Sequence, residues 1–212
     1  MLEKLLPKIV IVAETYRERM ECELFPEEEL AVGMSVEKRR QEFIAGRACA
    51  RAALQQLGIV PVAIGMGRHG EPLWPKDIIG SITHCSGYRA CAIARHEDIV
   101  TLGIDAEINA PLPTGILSDV ASPRECARLR SHHSEAHMDR VLFSAKEAIY
   151  KAWFPLTGRW LGFEDVDLEI DDTSFSGHLL VDGPLVHGRP LATFRGRWQL
   201  EGSLIGTAVA LE

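Results

Sequence analysis

VEKRRQEFIAGRACARAALQQLG, residues 36–58, is the stretch on which the reading of the fold turns. Ser35 can cap a helix beginning near Val36, and Gly58 ends it. At about 100° per residue, Phe43, Ala50, Ala53, Leu54 and Leu57 share one face, which marks the side to be buried. Arg40, Arg47 and Arg51 fall on the flank of that face, as a ligand-binding stripe or a solvated basic edge. Outward from this helix the period changes from 3.6 to 2. Ile9–Ala13 reads as a strand, as do IVPVAI (59–64), YRACAIAR (88–95) and IVTLGIDAE (99–107). A second helix is expected from Ser144 to Phe154, stopped by Pro155. Strands follow again at DVDLEI, GHLLV, TFRGRWQLE and LIGTAVAL.

The order strand–helix–strands thus occurs twice, which predicts an α+β fold. No clear sequence repeat links the two runs, so internal duplication stays open from the pattern alone. Residues 108–123 carry prolines at 111, 113 and 123 and read as a connecting loop. The expected division is 1–107, the 108–123 loop, and 124–212.

The 212 residues are 46% hydrophobic and 25% charged, a globular composition that excludes disorder and coiled coil. No run approaches the roughly 18 apolar residues of a membrane span, and Ile9–Ala13 is too short for a signal-peptide core. A cytoplasmic protein is expected. The net charge of −7 argues against a nucleic-acid partner but leaves room for a local basic pocket. Cys22, Cys49, Cys85, Cys91 and Cys126 form no CxxC pair, so reduced thiols are expected.

Several matches lack the context that their chemistry needs. Gly65-Met-Gly67-Arg-His-Gly70 fits GxGxxG, but Pro72 and Pro75 prevent the helix that must follow it, so a Gly-rich hairpin turn is expected. Ser86 near His84 lacks a GxSxG elbow. His132, His133 and His137 read as a surface cluster, and the acidic run Glu164–Asp172 as the solvated face of a strand.

Three motifs carry chemistry. In Gly103-Ile-Asp105-Ala-Glu107, residues two apart share a strand face, so two carboxylates stand together. Close like charges favour an intervening cation, and hard oxygen ligands suit magnesium; two solvated acids at a strand end are the alternative. In FSAKEAIYKAW (143–153), Glu147 and Lys151 share a helix face. Ser144-x-x-Glu147 also reads as a capping box. In Ser81-Ile-Thr83-His84, a hydroxyl and an imidazole at a strand start can bind phosphate or be structural.

The succession of these motifs resembles the 4′-phosphopantetheinyl transferases of the surfactin and enterobactin type, over nearly the whole chain. KAWFPLTGRWLGFED and THCSGY look most like the actinobacterial branch, which serves lipid and siderophore synthases. The resemblance implies a pseudo-dimeric monomer of two similar α+β halves with coenzyme A in the cleft between them. It implies transfer of the phosphopantetheine arm of coenzyme A to a serine of an apo acyl or peptidyl carrier protein. Those carriers belong to fatty acid, polyketide or nonribosomal peptide synthases, and adenosine 3′,5′-bisphosphate leaves.

By position, Asp105, Glu107 and Glu147 would hold Mg2+, with Glu147 also the base. Lys146 and Lys151 would neutralise the pyrophosphate. Arg39 or Arg40, with Arg47, would bind the 3′-phosphate, and Thr83 and His84 would contact adenosine or a phosphate. Thr83 stands where a serine is common, Cys85 where many members have a second serine, and Arg68 and His69 where a lysine is frequent. Tyr150, Trp160 and Leu161 would line the pantetheine channel or pack in the core. Two other readings use the same residues: a magnesium-dependent phosphohydrolase and a non-enzymatic nucleotide-binding module.

Overall fold

The computed structural model describes residues 1–17, 20, 22–132 and 134–212. Strand β1 (Ile11–Thr15) leads to helices α1 (Pro26–Val32) and α2 (Glu37–Gln56). A small hairpin, β2 (Gly65–Met66) and β3 (Pro72–Leu73), precedes β4 (Ile78–Cys85), β5 (Tyr88–Arg95) and β6 (Thr101–Ile108). Helices α3 (Ile116–Val120), α4 (Pro123–Ser131) and α5 (Met138–Thr157) follow. The chain ends in β7 (Val166–Ile170), β8 (Ser174–Leu179), β9 (Leu185–Val186), β10 (Arg189–Pro190), β11 (Thr193–Glu201) and β12 (Leu204–Leu211).

The first long helix forms because its apolar residues recur at helical spacing. Ala50, Ala53 and Leu54 bury against Ile93, Cys91 and Ala13 of the sheet β1-β5-β4. Each Leu-sized side chain removed from water contributes about 1.5–3 kcal/mol. The second long helix packs Ile149 and Trp153 onto Phe175, Phe194 and Ile205 of the sheet β6-β12-β11-β8-β7. A third cluster, around Tyr88, Leu102 and Ile104, fills the space between the two sheets.

Three expectations change. Strand β6 pairs along its length with β12, so it lies in the sheet of the C-terminal strands although residues 101–107 were assigned to the first half. The 59–64 run is not a strand; the chain pairs only at Gly65–Met66, opposite Pro72–Leu73, as the Gly-rich hairpin. The second helix starts at Met138, not Ser144, and Pro155 lies inside its last turn, which ends at Gly158 with φ 61°. Pro155 removes only one bond near a helix end that lacks further bonds anyway. The helical start leaves Ser144 mid-helix and fully buried, so the Ser144–Glu147 capping box is not formed. The same pattern does cap α4: Ser122 Oγ accepts from the Glu125 amide, and Glu125 Oε2 accepts from the Ser122 amide.

Strands β4 and β6 meet without a backbone ladder. Instead Ser81 Oγ accepts from the Ile104 amide and Thr83 Oγ1 from the Ala106 amide, each at 3.1 Å. Alternate hydroxyls on one strand satisfy alternate amides on the other, and this seam is the floor of the cleft.

Candidate active site

Helix α5 runs antiparallel along β6, and the two keep step. Four helical residues advance about 6 Å and two strand residues about 6.6 Å. Arg140 therefore meets Glu107, Ser144 meets Asp105, Ala148 lies over Gly103, and Thr101 donates to the Ala152 carbonyl at 2.7 Å. Gly103 makes the approach possible: a Cβ there would stand 2.0 Å from the Ala148 oxygen.

Asp105 is the centre of this row and is 5% exposed. Its Oδ1 accepts from Thr83 Oγ1 at 3.0 Å and from Lys151 Nζ at 2.8 Å; its Oδ2 accepts from Ser144 Oγ at 2.8 Å. Lys151 also donates to the Ile104 carbonyl at 3.1 Å, which leaves one of its three protons for a ligand. Glu107 accepts from Arg140 at 3.1 Å. Burial first, and then the Asp105 charge, push the Glu107 carboxyl up to about 6, against the pull of Arg140. Burial also raises Glu147, which makes no side-chain hydrogen bond among the described residues, while Lys151 draws it down.

Across the cleft, Arg39, Arg47 and His84 line a cavity of about 280 Å³ that reaches Asp105 and Lys151. Arg47 is 5% exposed and held by the protein: Nε donates to the Ile64 carbonyl at 2.7 Å, and Nη2 to the Gly65 carbonyl at 3.1 Å. Its guanidinium stacks 4.1 Å from the Phe43 ring centre, and burial lowers it to about 10. Arg39 Nη1 lies 3.4 Å from His84 Nε2. Burial holds the His84 imidazole below its ordinary range, although Glu42, 3.9 Å from Nδ1, pulls the other way.

An apolar wall adjoins the acids. Tyr150 stacks on Trp160 at 5.0 Å, and both line a cavity of about 200 Å³ with Leu161 and Glu147. His69 packs 5.3 Å from the Phe154 ring, bringing the Gly-rich hairpin against α5. Arg68, beside it, is exposed.

Four expectations about side chains change. Lys146 is 4% exposed and donates to Glu125, the Val120 carbonyl and the Phe163 carbonyl. Its three protons are engaged, so it has none for a pyrophosphate. The helix turns Lys146 and Lys151 to different neighbours, because five residues correspond to about 500°. Arg40 pairs with Glu29 at 2.7 Å and lies outside the cavity that Arg39 lines. Arg51 pairs with the fully buried Glu28, so of the Arg40–Arg47–Arg51 stripe only Arg47 lines the cavity. The Thr83 hydroxyl is committed to Asp105 and the Ala106 amide rather than free for a ligand. Arg140 was not singled out by sequence, and Ser144 was read only as a helix cap. The spacing 140, 144, 147, 151 on one helical face is the signal that connects them.

No group of three or more His, Cys, Asp or Glu among the described residues is arranged to hold a metal ion. Asp105, Glu107 and Glu147 are nevertheless a hard-oxygen set of suitable kind. Burial first, with the Asp105 charge adding to it, raises the other two acids, a cost that a cation between them relieves. His132 Nε2 instead donates to the Ile170 carbonyl at 2.8 Å; His133 lies outside the described residues.

The model of a 4′-phosphopantetheinyl transferase N-terminal domain matches residues 27–94, and that of the 4′-phosphopantetheinyl transferase superfamily matches 101–191. The second match begins at the first residue of β6. The chain is 47% identical over 220 residues to the 4′-phosphopantetheinyl transferase Npt of Nocardia iowensis, covering 99% of each protein. It is 47% identical over 206 residues to PptT of Mycobacterium tuberculosis, covering 94% of this chain and 91% of that one. Enterobactin synthase component D of Salmonella typhi is 30% identical over 177 residues, covering 82% of this chain and 72% of that protein.

Proposed function

The chain belongs to the 4′-phosphopantetheinyl transferase family, and from that membership we propose how its own residues carry out the transfer. The enzyme moves the phosphopantetheine arm of coenzyme A to a serine of an apo carrier protein and releases adenosine 3′,5′-bisphosphate. Family membership sets aside the phosphohydrolase and the binding module.

The observation that carries the residue roles is the register of α5 on β6. It sets Asp105 and Lys151 into the cavity that Arg39, Arg47 and His84 line, with Glu107 and Glu147 on the same two elements. Arg39, Arg47 and His84 hold the 3′-phosphate. Carbonyls fix two of the Arg47 nitrogens, so its remaining donors are oriented before the ligand arrives. The free proton of Lys151 goes to the pyrophosphate. Tyr150, Trp160 and Leu161 take the pantetheine arm.

Glu147 is the base. Unlike its neighbours, its carboxylate is not tied up by donors; burial raises its affinity for a proton, and Lys151 opposes that rise. It takes the proton of the carrier serine. The serine oxygen bonds to the phosphorus on the pantetheine side, and the bond from that phosphorus to the bridging oxygen breaks. The electron pair leaves with adenosine 3′,5′-bisphosphate. Asp105, Glu107 and Glu147 would hold magnesium, which supplies charge neutralisation at the pyrophosphate.

The acceptors are acyl or peptidyl carrier domains of fatty acid, polyketide or nonribosomal peptide synthases. The likeness to an enterobactin synthase component supports a siderophore role. The enzyme acts as a cytoplasmic monomer of two halves; no helix among the described residues is long and apolar enough to cross a membrane. Incubation with coenzyme A, magnesium and apo carrier should add the phosphopantetheine mass to the carrier. Breakdown of coenzyme A without carrier would instead favour hydrolysis.

A further inference from the structure

Past His84 the cleft continues into a second cavity, of about 710 Å³. His84 and Glu42 line both cavities, so the second adjoins the reacting centre on the side of Glu107 and Arg140. Arg89 lines it, and Lys38 stands at its rim.

Arg89 is placed by strand pairing. In the β4–β5 hairpin it is directly opposite His84, so the two side chains leave the same face of the sheet. Three cations are buried among the described residues: Arg47, Lys146 and Arg89. Two carbonyls hold Arg47; Glu125 and two carbonyls hold Lys146. Arg89, 7% exposed, has neither, and its Nε and Nη1 are shielded from solvent with no acceptor. Of the acids around the cavity, Glu107 pairs with Arg140, Glu37 accepts from Gln41 and Glu42 stands 3.9 Å from the His84 imidazole; none is paired with Arg89. Buried charges in folded proteins are paired, so an unpaired one beside an open cavity marks the place of a missing anion.

We infer that Arg89, with Lys38 at the rim, forms a second oxyanion subsite, separate from the coenzyme A arginines, that takes a carboxylate or phosphate entering from the Glu107–Arg140 side. Its place in the reaction rests on the transferase reading. The donor substrate's phosphates are held from the Arg39–Arg47 side and by Lys151. The anion at Arg89 therefore comes from elsewhere: an acidic side chain of the carrier protein, or a free inorganic anion.

The test measures thermal stability of the full chain with saturating coenzyme A while inorganic phosphate is added, and carrier KM in the same preparations. Wild type should be stabilised further by phosphate, and Arg89→Met should weaken this binding about 10–100-fold, the usual cost of a lost charge-assisted bond. Arg89→Lys, which keeps the charge, should recover part of it. Loss of phosphate binding with an unchanged carrier KM identifies a free anion. A raised carrier KM with unchanged kcat and coenzyme A affinity identifies a carrier carboxylate. Phosphate that competes with coenzyme A, or Arg89→Lys and Arg89→Met proteins that both match wild type, overturns the subsite. If Arg89→Met does not fold, the absence of phosphate stabilisation in wild type together with a wild-type carrier KM in Arg89→Lys overturns it equally. Wild-type transfer to the carrier is the control: its absence would remove the transferase reading, while the phosphate titration would still decide the subsite.

Discussion

Helices α2 and α5 both carry charge into the molecule, and they dispose of it differently. On α2, Arg51 is neutralised by Glu28, and Arg47 is held by two carbonyls that leave its charge and remaining donors facing the cavity. On α5, Lys146 is held by Glu125 and two carbonyls, but the next residue, Glu147, has no hydrogen-bond partner among the described residues, and Lys151, a turn further, keeps one N–H unused. The contrast teaches that residue type does not separate structural from functional charge. The count of unsatisfied donors and acceptors does.

Glu147→Gln should break the contrast most. Loss of a general base costs about 10²–10⁴-fold in rate. Glu147 caps nothing and bonds nothing in the protein, so the melting temperature should hardly move. Transfer rate and melting on one preparation check this; an active variant would return Glu147 to the framework.

The two lysines sharpen it next. Lys146→Met leaves Glu125 buried without its cation, which typically costs about 3–5 kcal/mol of stability. Lys151→Met leaves Asp105 with Thr83 and Ser144 as donors, so denaturant unfolding should change less while transfer falls. Equal unfolding midpoints for the two variants would erase the distinction.

On the other wall, Arg39→Ala should weaken coenzyme A by about 1.5–3 kcal/mol and spare dephospho-coenzyme A. Arg39 is exposed, so titration calorimetry can be read without a stability correction. Equal losses for both ligands would remove the 3′-phosphate role.

The smallest effect concerns pH. The folded Glu107 carboxyl, raised to about 6, lies above its unfolded value of 4.5. The folded state then holds more protons between these values, so the Glu107 contribution to stability falls as pH rises through the window. Glu107→Gln lacks this contribution. In the absence of ligand its melting temperature should therefore gain on wild type between about pH 4.5 and 6, and a pH-independent difference would refute the assignment.

Much of the fold was legible because its strands alternate and its helices repeat. YRACAIAR, TFRGRWQLE and LIGTAVAL coincide with strands, and residues 36–58 contain α2. Helix boundaries were less legible. Two Ser-x-x-Glu patterns occur, and local spacing cannot say that Ser122 starts a helix while Ser144 is buried inside one. The decision belongs to packing: Ser144 donates to Asp105, far away in sequence. For the same reason the neighbours of Lys146 are not legible in the sequence. Its partners Val120, Glu125 and Phe163 come from three separate segments, which no spacing along one helix records.

The seam between β4 and β6 has a consequence for how the two sheets are matched. The peptide groups of a backbone ladder do not themselves read side chains; its register is set by which residues face the core. Here the join is written in two hydroxyls, Ser81 and Thr83, aimed at the amides of Ile104 and Ala106. Slippage by one residue would present Ile82 to an amide and leave that amide unsatisfied. The relative placement of the two walls of the cleft is therefore spelled by side chains: a point mutation at either hydroxyl removes one of the bonds that align them.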